Sequence, residues 1–245
     1  MTQANLHIFS TNEQTAEALA LQLYTMAVEK QKLKQQLFIA ISGGSTPNLL
    51  FAILVNKYQK IMPWGVFRFY WVDERCVPIG DTESNYGTAK ALLFDYIALS
   101  ETQIERIRGE NNPADEAVRY AQLINNQLPK KDGIPTFDLI VLGMGDDGHT
   151  ASIFPNQQDI MQSRKLCEPS EHPITGQKRI TLTLKTICNS KHIVLLVTGS
   201  SKAKKLVELV HLSPASANYP VTKILDTKGA LDYYFDKEAA QLLNY

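Results

Sequence analysis

The residues best suited to chemistry lie in a glycine-rich loop at the end of an apolar run. The run Leu139–Leu142 is short and aliphatic, which is typical of a strand buried on both faces of a parallel sheet. Three glycines follow it, interspersed with Asp146, Asp147 and His149. Ligands of open parallel sheets bind beyond the carboxyl ends of strands. The pattern predicts a site in which His149 is a general base and a neighbouring carboxylate sets its tautomer and orientation.

Two other interpretations of this loop have to be weighed. The spacing G-x-G-x-x-G, with Glu168 about twenty residues downstream, formally satisfies the dinucleotide-binding fingerprint. The two aspartates would bring negative charge against a pyrophosphate, however, and Pro155 would interrupt the helix that should follow. A structural turn with a solvated acidic pair stays an alternative for the loop taken alone, because Asp and Gly are common in turns.

A second candidate site lies in the segment SGGSTP at residues 42–47, between an apolar strand and an apolar helix. Thr46 is placed to cap that helix, with Pro47 at its first position. Unpaired N–H groups at a helix start, beside hydroxyls and glycines, suit a phosphate group. The lysine of a P-loop is absent, and a plain strand-to-helix turn is the structural alternative. The candidate phosphate ligands are Ser42, Gly43, Gly44, Ser45 and Thr46.

Lys202 is the third candidate, because it follows Gly199 at the end of another apolar run. Together with Lys204 and Lys205 it crowds the first turn of a predicted helix, where the helix dipole disfavours cations. A bound anion between this turn and Lys202 would offset that cost, whereas the other two lysines are expected to reach solvent. Two anion-binding turns in one sheet indicate a phosphorylated small molecule as the partner.

The composition narrows the class of protein. The chain of 245 residues is long enough for a single α/β domain over residues 1–245, and its 25 basic and 25 acidic residues give zero net charge. This balance disfavours nucleic acid or an anionic membrane as a partner. There is no CxxC pair or HExxH pattern, and the Asp146, Asp147 and His149 side chains are too few ligands to predict a metal.

Targeting signals are not visible in the sequence. The start has no basic segment followed by a long apolar one, and the longest aliphatic run, residues 193–197, is too short to span a bilayer. We therefore expect a soluble, cytoplasmic protein, whose oligomeric state the sequence does not indicate. The remaining histidines lie outside this glycine-rich loop and are expected to be structural or solvated; they are His7, His172, His192 and His211.

Strands alternate with helices along the chain, which predicts an α/β fold with a mostly parallel sheet and helices on both faces. Strands are expected at residues 6–9, 37–41, 67–72, 104–107, 139–142, 179–187, 192–198 and 230–235. Helices are expected after a capping box at Ser10 and Glu13, after Ser84, after Asn112 and from Ser201. A short closing helix is expected after the last strand.

The motifs together resemble those of the 6-phosphogluconolactonase family. In chain order these are SGGSTP, Asp73-Glu74-Arg75, GMGDDGHTASIFP, the segment that begins with Arg179, and Gly199-x-x-Lys202. The resemblance covers nearly the whole chain. It implies a Rossmann-like fold, no redox cofactor, and hydrolysis of 6-phospho-D-glucono-1,5-lactone to 6-phospho-D-gluconate in the pentose phosphate pathway.

The resemblance also implies roles for the residues already singled out. His149 would be the base for a water molecule that attacks the lactone carbonyl, and Asp147 would orient the imidazole. The phosphate would bind to the SGGSTP turn and Lys202. Arg75 and Arg179 would contact phosphate or sugar oxygens, and Asp73 would bind a hydroxyl group.

Two alternative functions differ from this one by specific residues. The wider superfamily includes glucosamine-6-phosphate deaminase, whose loop resembles GHIAFNEP, with a glutamate before the proline that assists ring opening. Phe154 stands at that position here, so the deaminase relay would be incomplete. A sugar-phosphate-binding module without catalysis would keep the anion-binding turns and dispense with the base, and the presence of Asp147 and His149 argues against it.

Overall fold

The apolar runs of the sequence form the centre of a parallel sheet. The computed structural model describes residues 4–243. The strands are Asn5–Phe9 (β1), Leu37–Ile41 (β2), Phe67–Trp71 (β3), Asp73–Arg75 (β4), Ile104–Glu105 (β5), Lys130–Lys131 (β6), Ile134–Pro135 (β7), Leu139–Leu142 (β8), Cys167–Glu171 (β9), Lys178–Leu182 (β10), His192–Val197 (β11) and Ala230–Asp236 (β12). β8 is buried along its whole length, as a strand covered on both faces must be.

Seven strands form the central sheet in the order β1-β12-β11-β8-β2-β3-β5, and all neighbouring pairs are parallel. The chain runs from β2 outward through β3 to β5, and later places β8 on the other side of β2. Strand order therefore reverses between β2 and β8, and open α/β sheets bind ligands in the crevice at such a position. The loops that follow these two strands are the SGGSTP segment and the glycine-rich loop.

Helices pack around this sheet. They are Asn12–Lys32 (α1), Ser45–Ile53 (α2), Asn85–Leu92 (α3), Pro113–Gln127 (α4), Gln158–Met161 (α5), Leu184–Ile187 (α6) and Ala203–Val210 (α7). α1 contacts α2 and β12, and α4 contacts β9 and β10. Within residues 4–243, no helix combines the length and apolar character needed to cross a bilayer. The arrangement confirms the predicted Rossmann-like α/β fold.

A small antiparallel sheet extends the central one beside the reversal point. It contains β4, β10 and β9, in that order. β4 follows β3 after a single residue, Val72, whose N–H donates to the Ile41 carbonyl and whose carbonyl accepts from the Leu182 N–H. The chain therefore passes directly from the central sheet into the small one, and carries Asp73 and Arg75 to the edge of the crevice.

Two predictions about helices were wrong: the position of the first cap and the presence of a closing helix. The cap of α1 is Thr11, whose hydroxyl accepts from the Gln14 N–H, and the Gln14 side chain in turn accepts from the Ser10 N–H. The predicted box at Ser10 and Glu13 is thus displaced by one residue. The closing helix is absent from the described part of the chain, where residues 237–242 form turns.

The predicted strand over residues 179–187 is also wrong in its second half. β10 ends at Leu182, and α6 follows after its N-cap, Thr183. The Thr183 carbonyl accepts from the N–H groups of Thr186 and Ile187, which closes a helical turn. The alternating apolar residues of this segment are buried in either conformation, so their pattern could not distinguish the two.

Asp138 immediately precedes β8 and stabilises the edge of the sheet that lies opposite the crevice. Its buried carboxylate accepts from Lys30 Nζ at 2.9 Å, from Lys191 Nζ at 2.8 Å and from the Phe38 N–H at 3.0 Å. Burial alone would raise the pKa of Asp138, but the hydrogen bonds from Lys191, Phe38 and Lys30 outweigh it and lower the pKa. The ion pairs therefore join α1, β2, β8 and the start of β11.

We expect Asp138→Asn to lower the free energy of unfolding by about 1.5–3 kcal/mol, the contribution of a hydrogen bond to a charged group. Urea unfolding at pH 7 measures this loss. Because the folded pKa of Asp138 is below its ordinary value of 3.8, the stabilisation is present above that pH and is lost as pH falls through the folded pKa. The difference between wild type and variant should therefore shrink in acid.

The matched control is Asp132→Asn, because the pair between Asp132 and Lys228 lies at the surface with 3.4 Å between its atoms. Exposed pairs contribute about 0–1 kcal/mol. Equal destabilisation by the two substitutions would contradict the role of Asp138.

Candidate active site

The pairing of β2 with β8 brings the two candidate loops together. Ile39 lies opposite Leu139, and Ala40 lies opposite Ile140, so the two strands end at the same edge of the sheet. The SGGSTP turn leaves β2 there, and the glycine-rich loop leaves β8. The sequence placed both loops at strand ends, and the strand order shows that these ends are adjacent.

His149 and Asp147 form a hydrogen-bonded pair within the glycine-rich loop. Nδ1 of His149 lies 2.6 Å from Oδ1 of Asp147, and the same oxygen accepts from the His149 backbone N–H at 3.0 Å. One carboxylate oxygen therefore holds both the imidazole and the backbone of His149. Nε2 of His149 has no hydrogen-bond partner within residues 4–243, and the side chain is partly exposed. Such a nitrogen is placed to exchange a proton with a ligand.

The backbone of this loop needs two of its glycines. A Cβ atom on Gly145 would lie 2.1 Å from Nδ1 of His149, so only glycine lets the imidazole fold back over the loop. Gly148 has φ +87°, and a Cβ atom there would lie 2.5 Å from the Tyr219 ring. The Gly148 carbonyl also accepts from the Val221 N–H at 3.2 Å. Tyr219 and Val221 thus contact Gly148 and hold the loop in place. The sequence did not indicate these contacts.

The carboxylate of Asp147 is kept ionised by the same contacts. Partial burial raises the pKa of Asp147, but hydrogen bonds from the His149 ring and backbone, together with the imidazole's charge, lower the pKa to about 2. Asp147 therefore stays an acceptor across the neutral range. This fixes the proton of a neutral His149 on Nδ1 and leaves the Nε2 lone pair free.

The SGGSTP turn presents the start of α2 to the crevice. Gly44 is the N-cap, with φ +114° and no atom within 4 Å of where its Cβ would lie. The predicted cap at Thr46 with Pro47 in the first position was wrong, because Thr46 and Pro47 are the second and third residues of α2. The Thr46 hydroxyl instead contacts the Thr198 hydroxyl at 2.8 Å. The Ser42 hydroxyl is buried and donates to the Val141 carbonyl. The first N–H groups of a helix have no partner within the helix, so they remain available to an anion.

The back of this turn is held by Asn85 and Glu74, to which the sequence assigned no role. A Cβ atom on Gly43 would lie 1.8 Å from Oδ1 of Asn85, so the two residues are in direct contact. Asn85 in turn donates to the Asp73 carbonyl. The buried Glu74 carboxylate accepts from the N–H groups of Asn85 and Tyr86 at 2.8 Å each. Glu74 therefore fixes the start of α3, and with it the wall behind the turn.

Lys202 reaches across to the glycine-rich loop. Its Nζ lies 2.5 Å from Oδ1 of Asp146, which is 73% exposed, whereas the Lys202 side chain is 23% exposed. The anion that Lys202 was predicted to need is therefore Asp146 in this structure. The neighbouring Gly199 N–H is directed to the Asp236 carboxylate at 3.1 Å, so it is not free to bind a ligand.

Two arginines complete the other side of the crevice. Arg75 and Arg179 lie directly opposite each other on the antiparallel strands β4 and β10. Neither side chain has a carboxylate partner among the described residues, and the Nε atoms of both are buried without a hydrogen bond. Burial lowers the pKa of Arg179, and the Arg75 charge acts in the same direction although Asp73 opposes it. Like charges directly opposite destabilise a sheet, and a bound anion would relieve them.

Asp73 and Phe154 both lie close to Arg179. Asp73 is 5% exposed, and its Oδ2 accepts from the Ser152 hydroxyl at 2.6 Å. The buried Phe154 ring lies 4.7 Å from the His149 ring and 5.8 Å from the Arg179 guanidinium. An apolar ring therefore occupies the position next to the imidazole. Within residues 4–243 there is no group of three or more His, Cys, Asp or Glu side chains suited to hold a metal ion.

Comparison with known proteins places the chain in a family. Residues 10–233 match the family described as glucosamine-6-phosphate isomerases/6-phosphogluconolactonase. A 6-phosphogluconolactonase of Haemophilus influenzae is 43% identical over 86% of this chain and 90% of its own length. One of Aggregatibacter actinomycetemcomitans is 40% identical over 98% and 100%. The structure of 6-phosphogluconolactonase from Trypanosoma brucei has a TM-score of 0.87 at 25% identity, covering both chains completely. The chain belongs to this family.

We expect His149→Phe to raise the pKa of Asp147 from about 2 toward its ordinary value of 3.8, since the ring hydrogen bond and charge are removed. Phenylalanine keeps an aromatic ring against Phe154, so the loop should stay in place. Carbon NMR of the side-chain carboxyl groups, followed against pH, measures both values. An Asp147 carboxyl that titrates at the same pH in both proteins would show that the pair is not formed in solution.

Proposed function

We propose that this chain hydrolyses 6-phospho-D-glucono-1,5-lactone to 6-phospho-D-gluconate, the second step of the oxidative pentose phosphate pathway. The observation that carries the proposal is the His149–Asp147 pair, with Nδ1 bound to the carboxylate at 2.6 Å and Nε2 free. The pair lies at the strand ends beside an anion-binding turn. Relatives at 43% and 40% identity are named 6-phosphogluconolactonase, which supports the same reaction here.

The pair supplies the proton transfers of ester hydrolysis. His149 Nε2 takes a proton from a water molecule as the water oxygen attacks the lactone carbonyl carbon. The tetrahedral intermediate then collapses, the bond from carbon to ring oxygen breaks, and the imidazolium returns the proton to that oxygen. Asp147 stabilises the imidazolium by the bond at Nδ1 and does not itself take the proton. General base catalysis of this kind contributes about 10²–10⁴-fold to the rate.

The remaining residues would hold the substrate. We assign the phosphate to the backbone of Gly43–Thr46 at the start of α2 and to Lys202, which would exchange Asp146 for the phosphate. Arg75 and Arg179 would bind phosphate or sugar oxygens, because each is a cation without a carboxylate partner. Asp73 would accept from a sugar hydroxyl. The Ser42 hydroxyl already donates to Val141, so any contact from Ser42 would come from its backbone.

The two alternative functions fit the site less well. Phe154 is fully buried beside His149, so the carboxylate that a deaminase uses for ring opening has no counterpart at that position. A module that only binds sugar phosphates would not need an imidazole oriented by a hydrogen bond to a carboxylate. A cytoplasmic location, the lack of a cofactor or metal, and the lack of a nucleic-acid partner stay predictions from the sequence.

The phosphate assignment predicts a crossed result with two substrates. Lys202→Met should lower kcat/KM for the phosphorylated lactone by about ten- to a hundredfold, since a charge-assisted contact contributes about 1.5–3 kcal/mol. The same substitution should scarcely change hydrolysis of unphosphorylated gluconolactone, which has no phosphate to lose. Steady-state assays corrected for spontaneous hydrolysis give both values.

Lys204→Met serves as the matched control, because Lys204 lies in the same turn and is exposed. It should leave both substrates unaffected. Equal losses on both substrates in the Lys202 variant would show that Lys202 is structural or acts on the sugar ring, and the phosphate assignment would then fail.

A further inference from the structure

A second histidine borders the candidate active site, although the sequence suggested only a structural or solvated role for it. His172 lies in the turn that joins β9 to β10. Its N–H donates to the Gln177 carbonyl and its carbonyl accepts from the Gly176 N–H, each at 2.9 Å. The turn therefore holds the backbone of this residue at both of its polar groups.

The turn also determines which ring nitrogen of His172 carries the hydrogen. Nδ1 lies 3.3 Å from the Ile174 backbone nitrogen and 3.2 Å from that of Thr175, and both nitrogens are donors. Nδ1 must then be an acceptor, so the neutral ring carries its hydrogen on Nε2. Burial and the positive charge of Arg179 both lower the pKa of His172, which keeps the ring neutral.

The Phe154 ring connects His172 to the catalytic pair. The His172 ring meets it edge-on at 5.0 Å, and the His149 ring lies 4.7 Å from the same phenyl ring. The Arg179 guanidinium lies over it at 5.8 Å. Three polar groups thus surround one buried aromatic side chain. His149 and Arg179 already line the crevice, and His172 is their neighbour.

Nε2 of His172 has no hydrogen-bond partner in the described part of the chain, and the ring is partly exposed. We infer that His172 is a further substrate-contacting residue, whose Nε2–H donates to an oxygen of the bound sugar lactone. The inference rests on the proposed function. His149 and His172 then have opposite roles, because the free nitrogen of His149 is an acceptor and the free nitrogen of His172 is a donor.

The His172→Asn variant distinguishes the donor role of Nε2–H from the structural role of Nδ1. In His172→Asn, the side-chain oxygen can accept from the backbone two and three residues ahead, as in an Asx-turn, but the shorter amide has no donor at the position of the Nε2–H. The turn should therefore form, and Tm should match wild type. We expect kcat/KM for 6-phosphogluconolactone to fall by about two- to tenfold, the effect of one neutral hydrogen bond.

If the Asn variant is destabilised, nitrogen NMR of the wild-type protein tests the same contact. Nitrogen NMR should show the Nε2–H tautomer of His172, and saturating 6-phosphogluconate should shift that resonance and slow its hydrogen exchange. His211, which is exposed at the end of α7, is the internal control and should not change.

The outcomes distinguish this inference from the function it rests on. The contact is overturned, and the lactonase proposal stands, if wild type hydrolyses the lactone while His172→Asn retains full kcat/KM. The same conclusion follows if 6-phosphogluconate neither shifts the His172 resonance nor slows its hydrogen exchange. If wild type hydrolyses no lactone, the proposed function fails, and the inference fails with it.

Discussion

The pairing of β2 with β8 is the constraint on which the site depends. Parallel neighbours end at the same edge of a sheet, and here the strand order also reverses between them. The start of α2, with its unpaired N–H groups, follows the end of β2. The loop after β8 carries an imidazole oriented by a carboxylate. The turn proposed to bind phosphate and the proposed general base are thereby side by side.

The second level of organisation lies behind these loops. Asn85 stands against Gly43, and the buried Glu74 carboxylate holds the helix that carries Asn85. Tyr219 packs against Gly148 on the other side. Gly43 and Gly148 are thus required by specific neighbours, and Gly148 also by its positive φ. A rigid support of this kind would keep the proposed catalytic residues in place before a ligand binds.

The sequence predicted the parts of the site that are local in the chain. The buried runs gave β2, β8 and β11 nearly to the residue, because fully buried strands must be apolar throughout. The pair of Asp147 and His149 spans only two residues, so its spacing could be read directly. Long-range contacts could not be read: Thr46 meets Thr198, and Lys202 meets Asp146, across 152 and 56 residues of chain. The role inferred for His172 depends on a turn whose hydrogen bonds only the structure reveals.

The role proposed for His149 is that of the base in a lactone hydrolysis. The turnover of freshly prepared 6-phosphogluconolactone, corrected for spontaneous hydrolysis, by wild type and by His149→Ala tests this role. We expect the variant to fold and to bind 6-phosphogluconate but to lose about 10²–10⁴-fold in kcat. Turnover near that of wild type in a correctly folded variant would remove His149 from the mechanism.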